Sequence, residues 1–481
     1  MRHQVKKSKY MQSNLHSFFS DLIMKTKTKH KQIENIAHCD KLTKLIDRQE
    51  FLEHIKQRLI ISAKNEYQSG LLFIDLDDFK QINNSFGLSF GDELLKQVSE
   101  CLRSVVCTEK LSFKMSPQTF ELNLARLGGD KFAIFIHKLK SSEDTIRIAQ
   151  NIIFELKKGF LIANKSINIS ASIGIAIYPK NSSTTPNALL QMADVAMYHA
   201  KANGRGLCYV YSSTMSKKMR RHHYLVEEMR LALASNSFTL SYQPIVNVNS
   251  LEINYFEALI RWQHPIEGHI SPSEFIPIAE DSNLILELGD WILDEACRQM
   301  ASWYNAGMKE TRISVNVSGI QLKHRCLHPW VIAAINKFDL PAKSLMIEIT
   351  ESCFVDASPE LILQLEKLRN EGVKIAIDDF GTGFSSLSLL ATLPVDVLKI
   401  DQLFIAQAIQ NNKYNKILRS IVNMASQLDF KIVVEGIEQV EQYELIKLLG
   451  VSYIQGYFID PPLQSHYVEK KLLQRYTELH T

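Results

Sequence analysis

Apolar and polar positions alternate along this chain in two successive series, separated by a polar, basic stretch at residues 213–223. In the first series an apolar run at 70–75 reads as a strand, with three acids at its end, Asp75, Asp77 and Asp78. Gly91, Asp92, Glu93 and Leu94 lead into a helix. Period-two alternation at 122–126 and 132–136, joined by Gly128 and Gly129, predicts a hairpin. Alternation at 167–177 predicts one further strand, and helical spacing at 188–201 predicts a helix that stops at Gly204. The second series begins at Phe238. It repeats apolar strands at 252–259, 312–317, 345–349, 374–377, 395–400, 431–434 and 451–455, with helix-like runs between them. Repeated strand–helix units predict a parallel sheet, and this many in one domain predict a (β/α)8 barrel. Residues 213–223 read as a linker entering a helix at 224–234. At the amino end, Leu15, Phe18, Phe19, Leu22 and Ile23 have the spacing of a short amphipathic helix within a basic segment, residues 1–36. Packing or dimerisation is its first reading, and weak attraction to anionic lipid the second.

Composition adds bounds. A chain of 481 residues accommodates two or three domains. With 46% hydrophobic and 22% charged residues it reads as an ordinary globular protein. A net charge of +3 gives no global attraction to a nucleic acid polymer, so any anionic ligand needs a local site. The seven cysteines are scattered, odd in number and without a CxxC pair. That excludes a disulfide framework or zinc site and fits a reducing cytoplasm. No apolar run approaches the ~20 residues of a membrane span, so a cytoplasmic chain without a transmembrane segment is expected.

The candidate chemistry lies at the strand ends of the second series. Glu257, Asn316, Glu348, Asp378 and Asp379, Lys399 and Asp401, Glu435 and Glu438, and Gln455 stand on or just past successive strands, with Glu351 close behind Glu348. One such acid is commonly a helix N-cap, and Glu351 or Glu438 alone reads equally as a cap or a surface ion pair. In a (β/α)8 barrel, however, strand carboxyl ends converge on one mouth. Clustered carboxylates are costly unless cations hold them. Hard divalent ions take carboxylate oxygens. Two of them ~3.5–4 Å apart clamp the attacking and leaving oxygens of a phosphoryl displacement.

The ordered motifs Glu257-Ala258-Leu259-Ile260-Arg261-Trp262, Asn316-Val317-Ser318, Glu348-Ile349-Thr350-Glu351, Asp378-Asp379-Phe380-Gly381, Lys399-Ile400-Asp401, Glu435-Gly436-Ile437-Glu438 and Gln455-Gly456 resemble an EAL domain, over residues 224–481. The resemblance implies hydrolysis of cyclic di-GMP to linear 5′-pGpG with two Mg2+ or Mn2+. It implies one ion on Glu257, Asn316, Glu348 and Asp378, and a second shared by Asp378 and Asp379. It makes Glu435 the base or a water-mediated ligand, and Lys399 the group that orients the attacking water. Gln243, Arg261 and Gln455 become substrate contacts, Glu351, Asp401 and Glu438 supporting residues, and a homodimer through this domain is expected. Phe384 replaces a common Tyr, and Asp460-Pro461-Pro462 a more usual basic-Pro ending.

Residues 37–212 resemble a GGDEF domain, a palm-like α+β fold that makes cyclic di-GMP from GTP. The resemblance rests on Asp75-Leu76-Asp77-Asp78-Phe79-Lys80, Asn83, Asp92, Gly128-Gly129-Asp130-Lys131-Phe132, Lys201 and Arg205. It implies guanine contacts at Asn83 and Asp92, phosphate contacts at Lys201 and Arg205, and Mg2+ held by Asp75 and the Asp130 region. Lys131 stands where the signature has Glu, and the upstream inhibitory RxxD is replaced by residues 119–122. Like charges at close range repel by on the order of 4 kcal/mol at moderate dielectric. The expectation is a non-cyclising domain that binds GTP as a regulator. Two other readings of the whole chain remain open at this point: a non-catalytic cyclic di-GMP receptor or scaffold, and a bifunctional cyclase–phosphodiesterase.

Overall fold

The structure is a computed structural model and describes residues 39–112, 122–179, 185–235, 237–355, 357–381, 390 and 392–470. The expected helix around residues 15–23, the stretch 119–121 and the loop 382–389 with Phe384 lie outside them. The chain divides into two compact units, residues 1–221 and 222–481. Among the described residues no helix is long and apolar enough to cross a membrane.

The first unit contains α1 (Arg48–Asn65), β1 (Gln68–Leu76), α2 (Phe79–Phe86), α3 (Leu88–Ser112), β2 (Leu122–Gly128) and β3 (Lys131–Leu139). There follow α4 (Ser142–Leu156), β4 (Phe160–Ile162), β5 (Lys165–Ile167), β6 (Ala171–Tyr178), α5 (Pro186–Ala202) and β7 (Cys208–Val210). Five strands form one sheet in the order β2-β3-β1-β6-β7. β1 is central and buried on both faces, as its nearly continuous apolar sequence requires. Leu72, Ile74 and Leu76 pack with α3 and α4 residues such as Leu102 and Ile152. Leu71 and Phe73 point the other way, toward Phe51 of α1 and Leu190 of α5. Asp75 shares the side of Leu71 and Phe73, because side chains alternate along a strand.

Two expectations are corrected here. The run 167–177 is not one strand. β5 closes a small hairpin with β4, and the sheet strand starts only at Ala171. Between them the Ser170 carbonyl accepts the Asp77 N–H at 2.9 Å, so the turn serves the end of β1. Residues 213–223 are helical, not a non-helical stretch ahead of a helix at 224, and the boundary between the two units, 221/222, falls within them. They form the first half of α6 (Ser213–Ser235), a continuous 23-residue helix. No Gly or Pro interrupts 213–235. The polar surface is a solvated helix face, and only Leu225, Met229 and Ala232 bury a stripe.

In the second unit β8 (Phe238–Asn247), β9 (Ile253–His264), β11 (Arg312–Val317), β12 (Leu345–Thr350), β13 (Lys374–Phe380), β14 (Val397–Ile400), β15 (Lys431–Val434) and β16 (Tyr453–Ile454) close an eight-stranded barrel. β10 (Gly268–Ile270) extends β9 outside it. The strands β9 to β16 of the barrel pair in parallel, but β8 is antiparallel to both β9 and β16. The all-parallel expectation fails at this one strand. β8 and β9 are joined by a short turn, and a parallel pair needs a long crossover. The barrel interior is plugged by Ile245, Tyr255, Met346, Ala376, Val397 and Val433, with Tyr453 packed against them.

Candidate active site

The strand period of two turns this apolar plug into a polar layer. Two residues beyond Tyr255, Met346, Ala376, Val397, Val433 and Tyr453 stand Glu257, Glu348, Asp378, Lys399, Glu435 and Gln455. Asn316 stands two beyond Ser314. On the reversed strand Gln243 stands two before Ile245, directly paired with Glu257. The layer therefore lies at the carboxyl ends of the parallel strands, where barrel chemistry is placed.

At its centre is Lys399, fully buried. Its Nζ lies 2.6 Å from Glu435, 2.7 Å from Glu348, 3.0 Å from Asp378 and 3.5 Å from Glu257. Four carboxylates around one ammonium leave a strong excess of negative charge. Burial favours the neutral amine, but these acids overcome it and hold the Lys399 pKa well above its ordinary value. Burial, reinforced by Glu257 and Asp378, pushes Glu348 well above the usual carboxylate range against the pull of Lys399. Burial also raises Glu435 to about 8. Glu257 is held low despite burial, by Lys399 and by hydrogen bonds from Gln455 and Asn316. Asn316 Nδ2 donates to Glu257 Oε1 at 2.8 Å, and Gln455 Nε2 donates to Glu257 Oε2 at 2.7 Å and to Gln243 Oε1 at 3.0 Å.

Adjacent strand residues normally face opposite ways, yet Asp378 and Asp379 both reach the mouth. The register of β13 against β14 shifts between Ile377 and Phe380, and Asp379 is left-handed at φ 54°. Such a bulge re-aims a side chain. Asp tolerates the left-handed region better than most residues. As a result one oxygen each of Glu257, Glu348 and Asp378 lies within 4.8 Å of the others. The same holds for Asp378, Asp379 and Glu435. Asp378 belongs to both sets. Burial, Asp378 and Asp401 raise the Asp379 pKa.

Glu351 is buried and accepts the Gly381 N–H at 2.6 Å, bracing the segment that follows Asp379. Asp401 caps α13 (Gln402–Ala408; α7 to α12 being Pro272–Asp281, Ile285–Asn305, Gly319–His324, Leu327–Lys337, Glu351–Val355 and Pro359–Glu371), accepting the Leu403 N–H at 2.8 Å. Asp401, Glu438, Leu259 and Tyr457 line the cavity above the acids, about 400 Å3 in volume. Arg261 is two alternations past Glu257 on β9, half-buried, and its Nη1 donates to the Ile260 carbonyl at 2.8 Å. Sequence reasoning missed Tyr457, which is 66% exposed at this rim. Its position directly after Gln455-Gly456 was the available signal.

In the first unit, Asp75 is 3% exposed and accepts a hydrogen bond from Lys201 Nζ at 2.5 Å. Lys131 faces Asp75 across the β1–β3 pair, and its Nζ lies 5.7 Å from the Phe73 ring centre. Burial raises the Asp75 pKa, against the opposing pull of Lys201 and Lys131. Asp130 is half-buried, Asp92 and Arg205 are exposed, and Arg205 Nε lies 3.7 Å from Asp78. Asn83 is half-buried under Gly91, where a Cβ would meet its Oδ1. Asp77, not foreseen as a site residue, accepts from Ser172 Oγ at 2.7 Å and from the Gly206 N–H at 3.0 Å.

Comparison with known proteins places both units. The EAL domain family matches residues 226–462, and the diguanylate cyclase, GGDEF domain family matches residues 37–207. The chain is 36% identical over 436 residues to the bifunctional diguanylate cyclase/cyclic di-GMP phosphodiesterase MucR of Pseudomonas aeruginosa, covering 90% of this chain and 61% of that one. It is 34% identical over 434 residues to the cyclic di-GMP phosphodiesterase NbdA of the same organism, covering 90% and 54%. The chain thus spans little more than half the length of these curated relatives. Among solved structures, the PaMucR phosphodiesterase in complex with c-di-GMP is 38% identical, with a TM-score of 0.50 over 51% of this chain and 99% of that one. The chain belongs to the family of proteins that carry a GGDEF domain followed by an EAL domain.

Proposed function

We propose that this chain hydrolyses cyclic di-GMP to linear 5′-pGpG at the barrel mouth, and that its GGDEF domain does not cyclise GTP but binds it as a regulator. The observation that carries the first part is the pair of acid sets sharing Asp378. The residues fit divalent cations. Glu348 Oε1 is buried without a hydrogen-bond partner, and one ammonium cannot balance the surrounding acids. Glu257, Asn316, Glu348 and Asp378 would hold one Mg2+ or Mn2+, and Asp378 and Asp379 a second. Bound there, the ions supply positive charge to phosphate oxygens and make water a better nucleophile.

The chain's own groups do the rest. Glu435 takes the proton of the attacking water, and Lys399 orients that water. Oxygen bonds to one phosphorus, the P–O3′ bond breaks, and the freed 3′ oxygen leaves with a proton. Gln243, Arg261 and Gln455 position the ligand, and Glu351, Asp401 and Glu438 support the mouth. The non-cyclising reading rests on Lys131 facing Asp75. A homodimer through the EAL domain completes the proposal.

The experiment is product analysis with purified protein and cyclic di-GMP in Mg2+, Mn2+ or chelator. pGpG should form with either ion and not in chelator. Intact cyclic di-GMP in both ions would leave only the receptor reading. Cyclic di-GMP formed from GTP by an Asp378→Ala protein would overturn the non-cyclising assignment.

A further inference from the structure

The residues of the GGDEF domain do not fit a divalent cation as those of the barrel do. Asp75 already accepts from Lys201, and Lys131 stands opposite it on β3. Both oxygens of Asp77 are engaged, one by Ser172 and the other by the Gly206 backbone. Asp130 remains, half-buried beside Lys131. A dication placed against Asp75 would meet two ammonium groups. Yet what disfavours a cation favours an anion. Asp78 makes no side-chain cap bond to the start of α2, so the first N–H groups of that eight-residue helix are not engaged by it. Lys80 is exposed in the first turn of the same helix, and Arg205 is exposed close to Asp78.

We propose that the GGDEF domain binds a nucleoside triphosphate as the free anion, with the Lys131 ammonium in the place a divalent cation would take. The inference rests on the nucleotide-binding reading of this domain and adds its metal requirement. A lysine serves as a point charge for phosphate. Carried on the chain, that charge removes the need for Mg2+ at this site, where Mg2+ instead competes by complexing the free nucleotide, whereas the barrel keeps its dependence on metal.

The test is titration of this 481-residue chain with a fluorescent GTP analogue, in excess EDTA and in excess Mg2+. The wild type should bind in EDTA, and at least about tenfold more weakly in excess Mg2+, which complexes most of the free anion. Lys131→Glu should bind at least about tenfold more weakly in EDTA and recover in Mg2+, one charge-assisted contact being lost and then replaced. Lys131→Met should weaken in EDTA without recovering in Mg2+. Recovery of the glutamate variant would itself show that the domain is folded. Wild-type binding that requires Mg2+, or a Lys131→Glu protein indifferent to EDTA, would overturn the metal-free proposal and leave nucleotide binding standing. Absence of binding in both media would overturn both.

Discussion

Lys399 Nζ lies 2.7 Å from Glu348 Oε2, while the other oxygen of that buried carboxylate, Oε1, has no hydrogen-bond partner. The lysine thus satisfies half of Glu348 and shares its one charge with three further acids. It neutralises the ring only in part and competes with cations for it. Lys399→Met should therefore separate two properties that usually fall together. Turnover should drop by a hundredfold or more, on the order expected for a positioned proton-handling group. Mn2+ affinity should rise by about tenfold, one repelling charge having gone. Calorimetric Mn2+ titration checks this, and weaker Mn2+ binding by the variant would show that Lys399 does not compete.

Asp378 belongs to both acid sets, whereas Asp379 belongs to one. Asp378→Asn should abolish measurable pGpG formation and lower the stoichiometry of bound Mn2+ below two. Asp379→Asn should retain one ion and lose activity by at least about a hundredfold, because the clamp of two ions is broken. Equal residual activity in the two variants would contradict a shared ligand.

Gln455 and Asn316 each donate to a different oxygen of Glu257. Removing Gln455 leaves Glu257 Oε2 with only the 3.5 Å approach of Lys399 Nζ, at a cost of about 1–3 kcal/mol. Gln455→Ala in chelator should show this loss in chemical unfolding. Added Mn2+ should recover much of it, because ligand binding to the native state restores stability by mass action.

Asp396 sits immediately before β14, the strand that carries Lys399. Burial raises its pKa, but hydrogen bonds from Arg369, the Ile375 N–H and Lys374 outweigh that and hold it below the usual carboxylate value. A depressed folded-state pKa contributes stability that is fully present above the unfolded value of about 3.8 and is lost as pH falls through the folded value. Asp396→Asn should therefore cost about 1 kcal/mol at neutral pH, its Arg369 and Lys374 partners being exposed to solvent. The gap to wild type should close below pH ~4. A constant gap across that range in urea unfolding would remove charge from the account.

The barrel site was legible because its chemistry follows the strand period. Glu257, Glu348, Asp378, Lys399 and Glu435 could each be placed at a strand end from apolar runs alone, and the structure brings all five together. What could not be read was geometry that breaks the period. The bulge that turns Asp379 toward Asp378 depends on a left-handed residue inside an apolar run. The reversal of β8 depends on a turn length, and the runs on either side look alike in either direction. The start of the 213–235 helix was placed at 224 because the polar residues before it show little apolar periodicity, although the chain there lacks any helix breaker. In the first unit, the nearness of Asp75 and Lys131 followed from the family resemblance, but the engagement of Asp77 by Ser172 and Gly206 needed contacts far apart in the chain.

The hydrocarbon stopper made by Ile245, Tyr255, Met346, Ala376, Val397 and Val433 seals the barrel below the acids. Among the described residues, the reaction chamber is consequently closed on that side. Whatever is cut there leaves on the side of the mouth, and the linear dinucleotide should obstruct the next molecule until it departs. Accumulating pGpG should accordingly slow the enzyme as a competitor of cyclic di-GMP, and removing it as it forms should speed the drain on the messenger.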